Sequence, residues 1–333
     1  MKGHNRRKAV ALVMVLALAA SLSLVLAAQA QAGSTPVVIG GGRPDAPAIS
    51  GTNVVWADQK SGNWDLYRYD ALTGATTQLT SGPADEAMPS VSGSRMAFVD
   101  FGTGLGDVVV RDIVTGVQTK LEVPGAQMFP SISGDWVAYE DRASRSSKVV
   151  FRNLAGGAGP YTGGVDGAPA ARPVVAGDLG VYEDHSAEPS GRFDADVVMI
   201  DLATGAKTPI ASSPASEIFA TTDGRYIVWA QSTDTGTFKI RSFDHETGAY
   251  ADITSGDGEE TMPSIAGGFI YWIHNKSGSP LHVDRYEIAT GKTSPFYTYS
   301  TGSVVALQAS GANVAWLENS GKRRVRAVFN DGL

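Results

Sequence analysis

Two sequence marks recur in step down this chain at intervals of roughly 41 to 48 residues, a period that builds stacked or circular arrays of small units, not one undivided core. The first mark is a small residue and glycine followed by a short strand ending in an aromatic. It occurs seven times: Gly51 to Trp56, Gly93 to Phe98, Gly134 to Tyr139, Gly177 to Tyr182, Gly224 to Trp229, Gly267 to Trp272 and Gly311 to Trp316. The second is an acid or amide four residues before a glycine: Asp70 to Gly74, Asp112 to Gly116, Asn153 to Gly157, Asp201 to Gly205, Asp244 to Gly248 and Glu287 to Gly291. It breaks off at Asn330-Asp331-Gly332.

One repeat unit reads as four strands. In the second, Met88 to Ser92 is a short strand, Gly93-Ser94 a tight turn, and Arg95 to Asp100 a strand rich in apolar and aromatic residues. Asp107 to Arg111 is a third strand. Asp112 to Gly116 then turns the chain, because Asp bonds the backbone two residues on and Gly accepts positive φ, and Val117 to Leu121 returns. Four antiparallel strands make one propeller blade, so the expected fold is all-β, a seven-bladed β-propeller. Blades packed face to face bury both faces of their middle strands, which accounts for unbroken apolar runs such as Ile227-Val228-Trp229. The seven aromatics that end the second strands are expected to pack between blades.

Blade 7 lacks a fourth strand within the chain that follows it. The segment Thr35 to Ile39 is expected to supply that strand and close the ring, leaving no unpaired sheet edge.

Composition fits a turn-rich β protein: 39 glycines, 16 prolines and 18% charged residues in 333, with no cysteine for a disulfide or a lipid anchor. Residues 1–32 read as an export signal, with Lys2, Arg6, Arg7 and Lys8 before the apolar run Ala9 to Ala28 and a small-x-small site at Ala30-Gln31-Ala32. The run is also long enough to stand as an uncleaved anchor. Cleavage after Ala32 leaves residues 33–333 as the propeller, extracellular or in the cell envelope with no membrane span. It removes four positive charges and no acid, taking the formal charge from −7 to −11. An acidic chain without a Lys/Arg stripe is unsuited to nucleic acid.

The blade 1 run Trp56-Ala57-Asp58-Gln59-Lys60-Ser61-Gly62-Asn63-Trp64-Asp65-Leu66-Tyr67 resembles the aromatic-x-Asp, Gly-Asn-x-Asp-Ile-Tyr signature of the TolB-like, WD40-like bacterial propellers. The resemblance implies the propeller fold, and a six-bladed ring as the alternative count, since TolB itself has six. It departs in lacking the family's Pro-Asp-Gly turn, for which Thr222-Asp223-Gly224 is the nearest approach, and the preceding small α/β domain.

Candidate site residues cluster at the ends of the second strands: Asp58, Asp100, Asp141, Asp184 and Glu318, with Gln231 and His274 at the equivalent places in blades 5 and 6. Asp45, Asp85, Glu86, Glu217, Glu259 and Glu260 fall where the chain passes between blades. Two readings stand side by side: an acidic rim that binds a basic partner or a cation, and carboxylates that cap their own loops beside Lys60, Arg142, Arg145, Arg192, Lys276, Lys322 and Arg323. No contiguous calcium loop is present, and only His274 and His282 flank one loop as a transition-metal pair. There is no Gly-x-Ser-x-Gly elbow, so no catalytic residue, metal or cofactor is assigned. The blade 4 loop His185 to Ala195 and the Gly-rich stretch Gly156 to Gly167 break the repeat's regularity. The expectation is a monomeric, secreted, non-enzymatic propeller binding a protein or cell-envelope polysaccharide through its acidic loop face. The alternative is a glycoside hydrolase or lyase with carboxylates at the channel mouth.

Overall fold

The computed structural model describes residues 36–330 except 122, 145, 166, 187–194, 280, 300 and 301. The export segment 1–32, Thr35, Arg145, Arg192 and most of the blade 4 loop therefore lie outside the described residues.

Seven antiparallel sheets of four strands form the ring, so the count is seven blades and the six-bladed alternative is set aside. Blade 2 runs Glu86–Ser92, Arg95–Asp100, Asp107–Asp112, Gln118–Lys120. Blade 3 runs Gln127–Ser133, Trp136–Asp141, Lys148–Asn153, Tyr161–Gly163, and blade 4 runs Ala170–Ala176, Leu179–Asp184, Asp196–Asp201, Lys207–Ala211. Blade 7 contains Ser303–Ser310, Asn313–Asn319 and Arg323–Val328, and its fourth strand is Val37–Gly41 from the other end of the chain. The closing strand pairs antiparallel, Val37 opposite Ala327 and Gly41 opposite Arg324, two residues further on than the sequence suggested.

The two repeat marks are two hairpins. At the first, Gly93 and Gly134 hold φ of 58° and 56°, the left-handed values that turn the first strand into the second. At the second, the Asp112 carboxylate accepts the amides of Val114 (3.0 Å) and Thr115 (2.7 Å), and the Gly116 amide returns to the Asp112 carbonyl (2.9 Å). The serine of the first mark has a further role. Its hydroxyl accepts the hairpin glycine amide of the next blade: Gly93 to Ser50 (2.9 Å), Gly134 to Ser92 (3.2 Å), Gly177 to Ser133 (3.0 Å) and, across the closure, Gly51 to Ser310 (2.9 Å).

Seven apolar clusters fill the ring, one between each pair of neighbouring blades. The cluster at the closure joins Ile39, Ile49, Val54 and Trp56 to Ala315, Leu317, Val325 and Ala327. All seven marker aromatics are buried, as expected of interblade packing. Burying a side chain of this size contributes on the order of 2–3 kcal/mol, which makes the blade interfaces the main source of stability.

The first strand of each blade is the innermost and packs against the first strands of its neighbours around the ring. Prolines interrupt these strands at one register position, Pro89, Pro130, Pro173 and Pro263, where a missing amide costs no ladder bond on the channel side. Pairing with the second strand shifts there, and the preceding residue adopts a left-handed backbone: Met88 (55°), Phe129 (51°), Arg172 (50°) and Met262 (51°), with Phe219 (57°) at the same place in blade 5. Five non-glycine residues in a conformation costing about 1–3 kcal/mol each persist only where their surroundings fix them. These bulges stand near the start of the inner strands, toward the face that carries the loops between second and third strands.

Candidate functional site

The strand-end aspartates serve their own loops. Asp100, Asp141 and Asp184 accept the amides of Gly102 (2.7 Å), Ala143 (2.9 Å) and Ser186 (2.8 Å), two residues on in each case. Fully buried Asp58 accepts the amides of Lys60 (3.2 Å) and, from the segment after the closing strand, Arg43 (2.9 Å). Glu318 is buried against Arg326 and accepts the Ser320 hydroxyl (2.8 Å). Gln231 accepts from Arg241 (3.0 Å). These residues share one face but do not converge.

Acids between the blades are also engaged. The Asp85 carboxylate accepts the Trp64 amide (2.8 Å), and Glu260 pairs with Lys239 (2.7 Å) and the His274 Nδ1 (3.2 Å). The His274 and His282 rings lie 6.1 Å apart, His274 also facing Asp284 at 3.9 Å while His282 contacts the Thr298 hydroxyl (3.0 Å). Burial holds the Asp284 carboxyl above its ordinary range. Among the described residues no three His, Asp or Glu side chains are arranged to hold a metal ion.

What converges is a set that the repeat pattern did not announce. A cavity of about 600 Å³ opens on the loop face at blades 3 to 5, lined by Phe129, Ile218 and Phe238 and by Glu140, Arg142, Arg172, Glu183 and His185. Glu140 and Glu183 follow the marker aromatics of blades 3 and 4, at a position occupied by Ala57, Val99, Ala230, Ile273 and Leu317 in the other blades. Both are buried, 2% exposed. Each reaches across the blade interface to the strained residue of the next bulge: Glu140 accepts the Arg172 amide (3.0 Å) and Glu183 the Phe219 amide (2.7 Å).

Each glutamate also holds an arginine at the rim. Arg142 donates two bonds to Glu140 (2.7 and 3.0 Å) and its guanidinium lies 5.4 Å over the Phe129 ring. Arg172 stands 3.7 Å from Glu183 and 4.5 Å over Phe219. His185 approaches Glu183 at 3.8 Å. The pocket thus offers apolar walls, exposed among them Phe129 at 41%, beneath two guanidiniums held by charge and stacking. The signals for it were the Tyr-Glu-Asp triplets of blades 3 and 4 and the residue-Pro step of the inner strands.

No known family profile and no curated protein matches the chain. The fold is similar to several solved structures. The β-propeller domain of the Trilobed protease from Pyrococcus furiosus, which has an open velcro topology, aligns at TM-score 0.68 and 12% identity over 88% of this chain and 97% of that one. The Pyrococcus horikoshii acylaminoacyl peptidase aligns at 0.66 and 14% over 88% and 53%. A Mycobacterium tuberculosis puromycin-hydrolyzing peptidase aligns at 0.64 and 14% over 87% and 52%. The chain spans about half the length of the whole peptidases it matches.

These likenesses show the fold, a seven-bladed β-propeller, which in the Trilobed protease is a domain of a peptidase. They correct the expectation of a non-enzymatic module that binds a protein or envelope ligand through an acidic face, and with it the glycosidase alternative. The matched structures are peptidases and a protease's propeller domain, and the acids of that face are engaged by their own loops or, for Glu318, by Arg326. The described residues are all propeller, with no hydrolase domain among them.

Proposed function

We propose that this chain is a peptidase-type propeller, whose loop face holds peptide segments for hydrolysis by a catalytic unit distinct from the ring. The observation that carries this reading is the pocket at blades 3 to 5, where Arg142 and Arg172 stand over an apolar floor. Guanidiniums suit main-chain carbonyls and acidic side chains, and Phe129, Ile218 and Phe238 suit an apolar side chain. The bulges that present Phe129 and Arg172 hold left-handed backbone of the kind that concentrates at ligand sites. Similarity of fold to peptidase propellers supports the same reading, while the blade 1 motif Trp56 to Tyr67 supports kinship with TolB-like propellers within it. Residues 1–32 carry the export signal of this proposal, which places the ring outside the cytoplasm.

The test is binding of a fluorescent peptide panel to the full chain, alongside Arg142→Ala and Arg172→Ala. The reading expects peptides with an apolar residue flanked by acid to bind best, and each variant to weaken them at least about tenfold, the loss of one charge-assisted contact. A panel in which no peptide binds the parent, or in which both variants bind as tightly as the parent, refutes it.

A further inference from the structure

A second cavity, of about 530 Å³, lies on the same loop face where the ring is closed. Its walls come from both ends of the propeller: Arg43 just beyond the closing strand, Gln59 and Trp64 from the blade 1 loop, and Asn319, Lys322 and Arg323 from the blade 7 loop. Three cations therefore meet in one pocket of a chain whose formal charge is −7. Their engagement by the protein is slight. Arg323 faces Asp45 at 3.6 Å, with both side chains about half exposed, and Arg43 donates a long bond to Gln59 (3.4 Å). The acid beneath the pocket, Asp58, is buried and its Oδ1 is taken by the Arg43 and Lys60 amides.

Resting on the peptide-binding reading above, we infer that this seam pocket takes the free C-terminal carboxylate of a peptide, with the last side chain against Trp64. A carboxylate matches the planar fork of a guanidinium and the point charge of an ammonium, and the Gln59 and Asn319 amides supply neutral donors beside them. The volume suits one or two residues, not an extended polymer. Because the cations come from the two ends of the ring, an occupant joins them, and its binding energy adds to closure. Occupancy then stabilises the folded ring by mass action.

The experiment uses the full chain and two probes, acetyl-Ala-Ala-Phe with a free carboxylate and the same peptide as its amide, read by titration calorimetry and by thermal unfolding. The inference expects the acid to bind at least about tenfold tighter than the amide, to lose affinity with added salt, and to raise the unfolding midpoint with dose. Lys322→Gln combined with Arg323→Gln, both exposed positions, should abolish that preference and leave the midpoint of the unliganded protein unchanged. Equal binding of acid and amide, or of galacturonic acid in preference to either, overturns it. If peptides bind in a way that depends on Arg142 and Arg172 but not on Lys322 and Arg323, this inference fails and the peptide-binding reading stands. If no peptide binds at all, both fail.

Discussion

Glu86, the first residue of the inner strand of blade 2, should make the protein lose stability as pH rises toward neutrality. Its carboxyl is pushed up to about 7 from 4.5, first by burial and then by the charges of Asp65 and Asp100, with the Thr80 hydroxyl opposing. The cause is visible in comparison with blade 2 itself, where Asp107 stands at the position of Asp65. Asp107 is held by Lys120 (2.6 Å), whereas Asp65 has only Gln78 (3.1 Å) at that place, so three acids share one neighbourhood without a cation. The folded chain keeps the Glu86 proton to higher pH than the unfolded chain. Its contribution is therefore full below about 4.5, declines as pH climbs, and is lost above about 7. A displacement of about 2.5 on the pH scale, at about 1.36 kcal/mol for each pH unit, sets a ceiling of about 3.4 kcal/mol, which water at the channel mouth reduces to roughly 1–2 kcal/mol. Urea unfolding of the parent and Glu86→Gln between pH 5 and 8.5 isolates this group, since other titrations cancel in the difference. The variant should gain about 1–2 kcal/mol on the parent across that span. Gln78→Lys, which restores the cation of blade 2, should flatten the parent's own slope. A difference independent of pH, or one of opposite sign, refutes the account.

Three further outcomes are expected. Glu183→Ala strips the Phe219 amide of its acceptor inside the pocket and should cost about 2–3 kcal/mol, measured by chemical denaturation; a cost under about 0.5 kcal/mol would show that the bulge holds itself. Deleting residues 36–41 removes buried Ile39 and exposes the Arg323–Val328 edge, so the ring should lose at least about 3 kcal/mol and gain a tendency to associate, seen in unfolding and light scattering; equal midpoints would count against closure by this strand. Mass spectrometry of the exported protein should find an N-terminus near Gly33, and recovery of full-length chain from membranes alone would favour the anchor.

The fold was legible because its punctuation is local. A Ser-Gly step and an Asp four residues before Gly each specify a hairpin within their own few residues, and seven copies multiply one weak signal into a ring. Closure was legible because each repeat takes four strands and Thr35 to Ile39, ahead of the first repeat, reads as one strand more. The pocket was not. Its walls are a glutamate on one blade, a backbone bulge on the next and an aromatic on a third, and the left-handed residues there are Phe129, Arg172 and Phe219, which carry no turn chemistry of their own. Pro130 and Pro173 mark the first two, Phe219 is followed by Ala220, and the prolines read equally well as ordinary edge-strand residues. The strand-end aspartates show the opposite case: Asp58, Asp100, Asp141 and Asp184 stand at equivalent positions on one face and look like a surface, but each accepts backbone amides of its own loop.

The serine hydroxyls that tie one blade's hairpin to the next do not go all the way round. They are present from blade 7 through the closure to blade 4, whereas Ala176 and Ala266 occupy that place in blades 4 and 6, and the Thr222 hydroxyl of blade 5 is taken by Gly224 of its own turn. The join between the chain's two ends thus sits in the middle of the arc that these hydroxyls tie, while the remaining interfaces rely on other contacts: Glu183 with the Phe219 amide, Lys239 with Glu260, and the Ser264 hydroxyl with the Ala309 amide (2.9 Å). The Gly267 and Gly311 amides, which face no such hydroxyl, should exchange with deuterated water sooner than those of Gly93, Gly134 and Gly177. The seam, where a ring of this kind is cut, is thus the place whose hairpins are tied on both sides, and hairpin loosening is expected on the blades away from it.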